Sequence, residues 1–331
     1  MTGRESQSSQ TLTVTIPAEA AGERLDKYLG NREDLRLSRT KVQKLAEEGL
    51  VLCDGRPVAT KHKLAGGETV IITVPPEPEV TIVGEAIPID IVYQDQYLAV
   101  VNKPAGMVTH PAAGHRSGTL VNALVHHFDS LASEPGGHRP GIVHRLDKGT
   151  SGLLVVARQD DVYLSLQKKI KAREVKRSYL GVICGHVKED EGRIDLPIGR
   201  SSTNRKKMAV TEFDSKPAVT DYRLLRRYRS YDLLDVTLGT GRTHQIRVHF
   251  SHLGHPILGD PEYGGREKWH RGMFGPERPL AKHMLEMIDR QVLHAARLEF
   301  EHPIDGRHMA FEAPPPPDMA AVLELLESEG G

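Results

Sequence analysis

Gly141-Ile-Val-His-Arg-Leu-Asp-Lys-Gly-Thr-Ser-Gly-Leu-Leu-Val-Val-Ala157 places one carboxylate, Asp147, between the cations Arg145 and Lys148 in a segment of turn-forming residues. Gly141–Val143 and Leu153–Ala157 each read as buried strand, so the charged nonapeptide His144–Gly152 reads as a strand-to-strand connection and not as a helix face. Loops on rigid strands commonly carry function. Cations on both sides favour the ionised form of the Asp. The plainer alternative for Asp-Lys-Gly alone is a surface turn with a solvated ion pair.

The chain has 331 residues, more than one core usually serves, so two domains are expected. Lys plus Arg equals Asp plus Glu at 44 each, and a nucleic-acid argument must therefore rest on local clusters. Arg139–Arg177 holds ten Lys/Arg against four Asp/Glu, and Arg200–Lys207 holds four cations and no acid. Cys53 and Cys184 lack a paired spacing and sit among apolar residues, which fits a reducing, cytoplasmic setting. A secretion signal and an apolar run of about 18 residues are both missing, so no membrane association is expected.

Residues 1–11, rich in Ser and Gln, are expected to be a disordered tail. A first domain runs over 12–75 and a proline-rich linker over 76–84. Within it, Arg24–Leu29 has helical spacing, and Ser38 and Gly49 are suited to cap a second helix. Short strands follow around Leu50–Leu52, a turn at Asp54-Gly55, and Thr69–Val74. The pattern resembles the S-four RNA-binding domain, a small α/β module. By that resemblance Arg36, Arg39, Lys41 and Lys44 would face phosphates; a solvated amphipathic face is the alternative.

Residues 85–331 read as one α+β domain, a mixed and mostly antiparallel sheet with peripheral helices. Leu98–Val101 opens the sheet, and strands follow at Tyr179–Cys184, Ala218–Leu225 and Tyr231–Leu238. Helices are expected at Thr119–His127, Asp160–Ala172 and Thr243–Leu253, and another around Met319–Leu326 after the last strand at Met309–Phe311.

His144-Arg-Leu-Asp-Lys-Gly-Thr-Ser-Gly-Leu-Leu resembles the signature of the RluA/RluD-type RNA pseudouridine synthases. Gly241-Arg-Thr-His-Gln-Ile-Arg-Val-His, with Leu253–Gly264 after it, resembles a second motif of that family. Asn102–Pro111, Lys176–Leu180, Leu293–Leu298 and His302-Pro303 extend the likeness over roughly residues 85–315. The resemblance implies a pseudouridine synthase fold and conversion of uridine to pseudouridine without cofactor or metal. Asp147 would be the catalytic nucleophile, Arg247 the cation that orients it, and Tyr179 the aromatic against the uracil. A paired base must be flipped out to react. Arg145 resembles the side chain that fills the vacated stack, Arg242 would contact RNA, and His144 would cap or orient the loop. The basic residues Lys168, Lys169, Lys171, Arg173, Lys176, Arg177, Arg205, Lys206 and Lys207 are candidates for RNA backbone contacts.

An S-four domain in front makes the chain more like RluC and RluD, which act on large-subunit ribosomal RNA, than like the smaller members; the partner is then ribosomal RNA and the enzyme a monomer. A transfer RNA substrate and a catalytically silent ribosome-assembly factor are the alternatives. A metal hydrolase is a third, from the histidines at 244, 249, 252 and 255 together with His110, His115, His126, His127 and His144. Their spacing opposes it, because 244 and 249 are off the i, i+4 register and no His-Glu-x-x-His occurs.

Overall fold

A computed structural model describes residues 9–35, 37–75, 82–111, 115–133, 139–273, 275 and 277–329. Arg36, residues 1–8 of the expected tail and residues 76–81 of the expected linker lie outside the described residues. The chain divides into two units, residues 1–79 and 80–331.

In the first unit β1 (Gln10–Thr15), β2 (Val51–Cys53), β3 (Arg56–Pro57) and β4 (Thr69–Val74) form an antiparallel sheet in the order β1-β4-β2-β3, and α1 (Leu25–Gly30) and α2 (Arg39–Glu47) are its helices. β1 begins inside the stretch expected to be disordered. Leu12 and Val14 alternate with threonines, and that two-residue period pairs Gln10–Thr15 with Val74–Thr69. Ser38 Oγ accepts the Lys41 amide at 3.2 Å, and Gly49 follows the helix in the left-handed conformation, φ 73°. Leu25, Leu29, Val42 and Leu45 close on Val51, Val70 and Ile72.

The second unit is built on a nine-stranded sheet. Its elements in chain order are β5 (Asp90–Gln94), β6 (Leu98–Lys103), α3 (Leu120–His127), β7 (Ser151–Ala157), α4 (Asp160–Lys171), β8 (Lys176–Cys184) and β9 (Glu191–Asp195). A small sheet of β10 (Ile198–Arg200), β11 (Met208–Val210) and β12 (Ser215–Lys216) interrupts it before β13 (Val219–Arg227) and β14 (Tyr231–Leu238). Then come α5 (Gln245–His252), α6 (Glu267–Arg271), α7 (Glu277–Met287), β15 (Leu293–Glu301), β16 (His308–Glu312) and α8 (Pro317–Glu329). The large sheet runs β5-β6-β7-β15-β8-β14-β13-β9, with β16 also paired to β15; only the β7–β15 pairing is parallel.

β7 is buried along its whole length because both faces are covered. Leu154 and Val156 point into the cluster that holds Leu120, Val121 and Leu124 of α3, whereas Leu153, Val155 and Ala157 meet Val162, Tyr163 and Leu166 of α4. Each of these Leu and Val side chains stabilises the fold by roughly 1.5–3 kcal/mol on burial. Gly152 pairs with Ala295 in the parallel contact with β15 at φ 115°, and a Cβ there would collide with the Ala295 backbone.

Three expectations need correction. Gly141–Val143 is a turn with a single bridge, Ile142 to Val156, because Pro140 has no N–H and Gly141 is left-handed at φ 72°. The sheet opens with β5, whose exposed and half-buried alternation hides it beside the apolar β6. Helix α5 begins at Gln245 and not at Thr243, since His244 is held in the left-handed region at φ 57°, ψ 22°.

Candidate active site

The loop ahead of β7 is tied down from several sides. Lys103 Nζ, at the end of β6, donates to the carbonyls of Pro104, Met107 and Lys148 at 2.8, 2.9 and 3.4 Å. Thr109 Oγ1 donates to the Leu146 carbonyl at 2.7 Å, and Arg290 Nη1 donates to that of Gly149 at 3.1 Å. Gln291 Nε2 donates to Thr150 Oγ1 at 3.0 Å, and the Thr150 amide closes a turn onto the Asp147 carbonyl at 3.0 Å. Lys103 is only 1 % exposed, and burial drives its ammonium down to about 7 while the charge of Asp147 pulls the other way. The Asp147 side chain stays 16 % exposed at the end of this clamp.

α5 brings up the partner. Arg247 Nη1 donates to Asp147 Oδ2 at 3.2 Å, while its Nε and Nη2 grip the two oxygens of the fully buried Asp260 at 2.7 and 3.0 Å. Nη2 also donates to Glu262 Oε2 at 2.8 Å, and the guanidinium lies over the Tyr263 ring, 4.9 Å from its centroid. Asp260 is fixed in turn by the amides of Glu262 and Tyr263 at 2.9 and 3.0 Å. Against the opposing cost of burial, these acids raise the pKa of Arg247 above its ordinary value and hold it cationic. A planar fork that satisfies three carboxylates at once is a task for Arg and not for Lys.

Tyr179 lies in β8 between β15 and β14, opposite Ala295 and Val236. It is buried, and burial pushes its phenol up from the ordinary value. Asp147, Tyr179, Arg247 and His244 line one small cavity of about 50 Å³ together with Arg145 and Arg242. Asp147, Tyr179, Arg145 and Arg242 also border a groove of about 870 Å³ whose walls carry Arg139, Lys168, Lys171, Arg173 and Arg177. The exposed cations of the groove are suited to phosphates.

The expected RNA residues divide. Arg145 is exposed beside the groove, and Arg242 reaches the Pro217 carbonyl at 3.0 Å. His144 does not face outward: its Nε2 accepts the Val155 amide at 3.2 Å, and burial with Arg177 nearby lowers its pKa to about 3, so it orients the loop as a neutral ring. Arg177 is buried and not a surface cation. Lys169 is paired with Glu174 and Glu301 at 3.6 and 3.4 Å, and Lys176 with Glu299 at 3.8 Å. Lys207 turns towards the site, donating to the Glu262 carbonyl at 2.6 Å, and Arg205 and Lys206 are exposed. In the first unit Arg39 binds the buried Asp26 at 2.9 Å beside Arg24 and Gln43, Lys44 pairs with Glu48 at 3.7 Å, and Lys41 is half-buried on α2.

The sequence reading missed Lys103, Asp260 and Glu262. The residues were in view within Asn102–Pro111 and Leu253–Gly264, but their roles depend on contacts 45 positions away for Lys103 and 13 and 15 positions away, across a turn, for Asp260 and Glu262. Two of the histidines weighed as metal ligands bond elsewhere. His249 bonds Thr220 Oγ1 and the Leu196 carbonyl at 2.9 and 3.0 Å, and His255 approaches the Cys184 carbonyl at 3.3 Å. Among the described residues Cys53, His62 and Glu68 of the first unit bring ligand-type atoms within 4.8 Å of one another, with the Cys53 thiol pushed up to about 12 by burial and Glu68. No helix among the described residues is long and apolar enough to cross a membrane.

Residues 97–252 match the family described as RNA pseudouridylate synthase, and residues 23–70 match the S4 (S-four) domain. The chain is 43 % identical over 331 residues to the ribosomal large subunit pseudouridine synthase D of Neisseria meningitidis serogroup B, covering 98 % of this chain and 84 % of that one. It is 42 % identical over 319 residues to YlyB of Bacillus subtilis, an uncharacterized RNA pseudouridine synthase, covering 96 % and 99 %. Human RNA Pseudouridylate Synthase Domain Containing 1 superposes with a TM-score of 0.52 at 28 % identity, over 70 % of this chain and 85 % of that one. Human RNA Pseudouridylate Synthase Domain Containing 4 shares the fold, with a TM-score of 0.54 at 24 % identity over 72 % and 93 %. With an S-four unit in front of an α+β catalytic unit, the chain belongs to the RNA pseudouridine synthases.

Proposed function

We propose that this RNA pseudouridine synthase acts on large-subunit ribosomal RNA, flipping a uridine out of its stack and using Asp147 as the nucleophile. The observation that carries the reading is the placement of Asp147. It is a partly exposed carboxylate on a clamped loop, paired with a buried Arg247 and sharing a cavity with Tyr179 at the edge of a basic groove. In the reaction the N1–C1′ bond breaks, the uracil turns, and a C5–C1′ bond forms. A carboxylate that keeps the sugar engaged while Tyr179 contains the ring meets both needs. Arg247 holds one carboxylate oxygen and leaves the other, Oδ1, without a bond from it. Arg145, exposed on the same loop, would occupy the space a flipped base vacates.

The ribosomal substrate is supported by the name of the Neisseria relative and by the S-four unit, since that relative matches over nearly the whole chain. Mapping pseudouridines by carbodiimide-dependent reverse-transcription stops, in ribosomal and transfer RNA from cells with and without the protein, tests it. A stop lost only from large-subunit RNA is expected; one lost only from transfer RNA would overturn the substrate assignment.

A further inference from the structure

Cys53, His62 and Glu68 carry a thiol, an imidazole and a carboxylate at irregular intervals, a spacing that matches no zinc-finger pattern and gives no local signal. The fold of the first unit gathers them. Cys53 ends β2, Glu68 stands just ahead of β4, and the pairing of Cys53 with Val70 sets these two strand ends side by side. His62 comes from the stretch 58–68 between β3 and β4, where its amide donates to the Ala59 carbonyl at 3.0 Å and its carbonyl accepts the Leu25 amide at 2.9 Å. One ligand-type atom from each residue lies within 4.8 Å of the other two. Cys53 and Glu68 are buried, and His62 is half-buried.

Two features set this trio apart from an ordinary polar contact. Glu68 Oε1 accepts the Ala65 amide at 2.8 Å, which fixes the carboxylate and leaves Oε2 3.7 Å from His62 Nε2. That separation is too long for a hydrogen bond. It is close to the edge of a tetrahedron built on zinc–ligand bonds of about 2.0–2.3 Å, roughly 3.4–3.6 Å. His62 Nε2 is also buried and has no hydrogen-bond partner among the described residues. Buried polar atoms in folded proteins are nearly always satisfied, and an orphan beside a thiol and a carboxylate is accounted for by a cation.

We infer that Cys53, His62 and Glu68 hold a zinc ion, with solvent as its fourth ligand. The site lies in the first unit and takes no part in the pseudouridine reaction, so the inference stands apart from the reading of that reaction. One sulfur, one nitrogen and one oxygen suit Zn²⁺, whereas Mg²⁺ and Ca²⁺ take oxygens. Without metal the Cys53 thiol donates to Glu68. On binding, the S–H bond breaks, the proton leaves to solvent and an S–Zn bond forms, while His62 Nε2 and Glu68 Oε2 each supply a lone pair; no electron is transferred. The ion bonds the irregular 58–68 stretch to the ends of β2 and β4. Because the His62 carbonyl holds the Leu25 amide, it also steadies the start of α1.

The test uses the full-length, untagged protein stripped by a chelator, then titrated with Co²⁺ as a spectroscopic stand-in and with Zn²⁺ against a chromophoric chelator. A single equivalent should bind, giving a near-ultraviolet thiolate-to-cobalt charge-transfer band that Zn²⁺ displaces. Cys53→Ser should abolish the band, and Cys184→Ala, at the other cysteine, should keep it. His62→Gln and Glu68→Gln should each weaken Zn²⁺ binding by at least about 10–100-fold, the cost of disturbing even an outer-shell partner. His62 is half-buried on a loop, so His62→Gln decides the matter if circular dichroism shows Cys53→Ser unfolded. Zn²⁺ should also raise the unfolding temperature of wild type and leave that of His62→Gln unmoved. Absence of the cobalt band in wild type, a band that survives Cys53→Ser, or wild-type Zn²⁺ affinity in His62→Gln would overturn the site.

Discussion

Replacing Arg247 by Lys keeps one positive charge and removes the fork. Arg247 makes four hydrogen bonds of 2.7–3.2 Å to three carboxylates: two to the fully buried Asp260, one to Glu262 and one to Asp147. An ammonium placed to serve Asp260 forfeits Asp147, and one placed to serve Asp147 leaves Asp260 Oδ2 bare and Oδ1 with only the amides of Glu262 and Tyr263. Removing one partner of a buried ion pair costs about 3–5 kcal/mol. Because Lys keeps the charge, about 3 kcal/mol is expected, which at an m-value of about 2–3 kcal/mol/M in urea lowers the unfolding midpoint by roughly 1 M. Loss of the charge-assisted bond to Asp147 is worth about 1.5–3 kcal/mol, or roughly 10–150-fold in turnover. Urea melts followed by tryptophan fluorescence, alongside tritium release from C5-labelled ribosomal RNA, read both effects. A variant with the wild-type midpoint and wild-type turnover would refute the claim that this fork organises the site.

Two further outcomes are expected. His144 has its pKa lowered from 6.5 to about 3 by burial and Arg177, and its Nε2 already accepts the Val155 amide. Above pH 6.5 it costs nothing, and as the pH falls towards 3 the unfolded chain takes up a proton that the folded chain refuses, so stability declines across that window. Urea midpoints at pH 7, 5 and 4 should therefore converge for His144→Gln and wild type as the pH falls, and a gap that widens instead would contradict the sign. Lys168→Glu with Lys171→Glu, on the groove wall formed by α4, should weaken RNA binding and flatten the slope of log affinity against log salt by about two; an unchanged slope would leave both as solvated residues.

Elements whose period or caps are local were legible before any coordinates. Ser38 and Gly49 bracket α2, Tyr231–Leu238 is β14, and Val162, Leu166 and Ile170 share the apolar side of α4. Gly141–Val143 failed because three residues cannot distinguish a strand from a turn when Pro140 precedes them. β5 escaped because an edge strand with one wet face lacks a strong apolar run. Within the site, Asp147, Tyr179 and Arg247 were named from motif resemblance, and the fold brings all three to one cavity. The members that hold them in place, Lys103, Asp260 and Glu262, carry no local signature, because their partners are supplied by tertiary packing. The surface cations were the least legible. Arg177, Lys169 and Lys176 look alike in a charge run, yet one is buried and two are paired with acids.

Asp147 is the centre of the proposed chemistry, and its side chain is partly exposed, with one 3.2 Å bond from Arg247. Replacing it should cost little stability, about 1.5 kcal/mol for the one lost bond, because Arg247 keeps its three bonds to Asp260 and Glu262. Release of tritium from C5-labelled, unmodified large-subunit ribosomal RNA by wild type, Asp147→Asn and Asp147→Ala tests the assignment directly. Release by wild type and none by either variant, with RNA affinity and unfolding midpoint nearly unchanged, is the predicted result; measurable multiple turnover in either variant would contradict it.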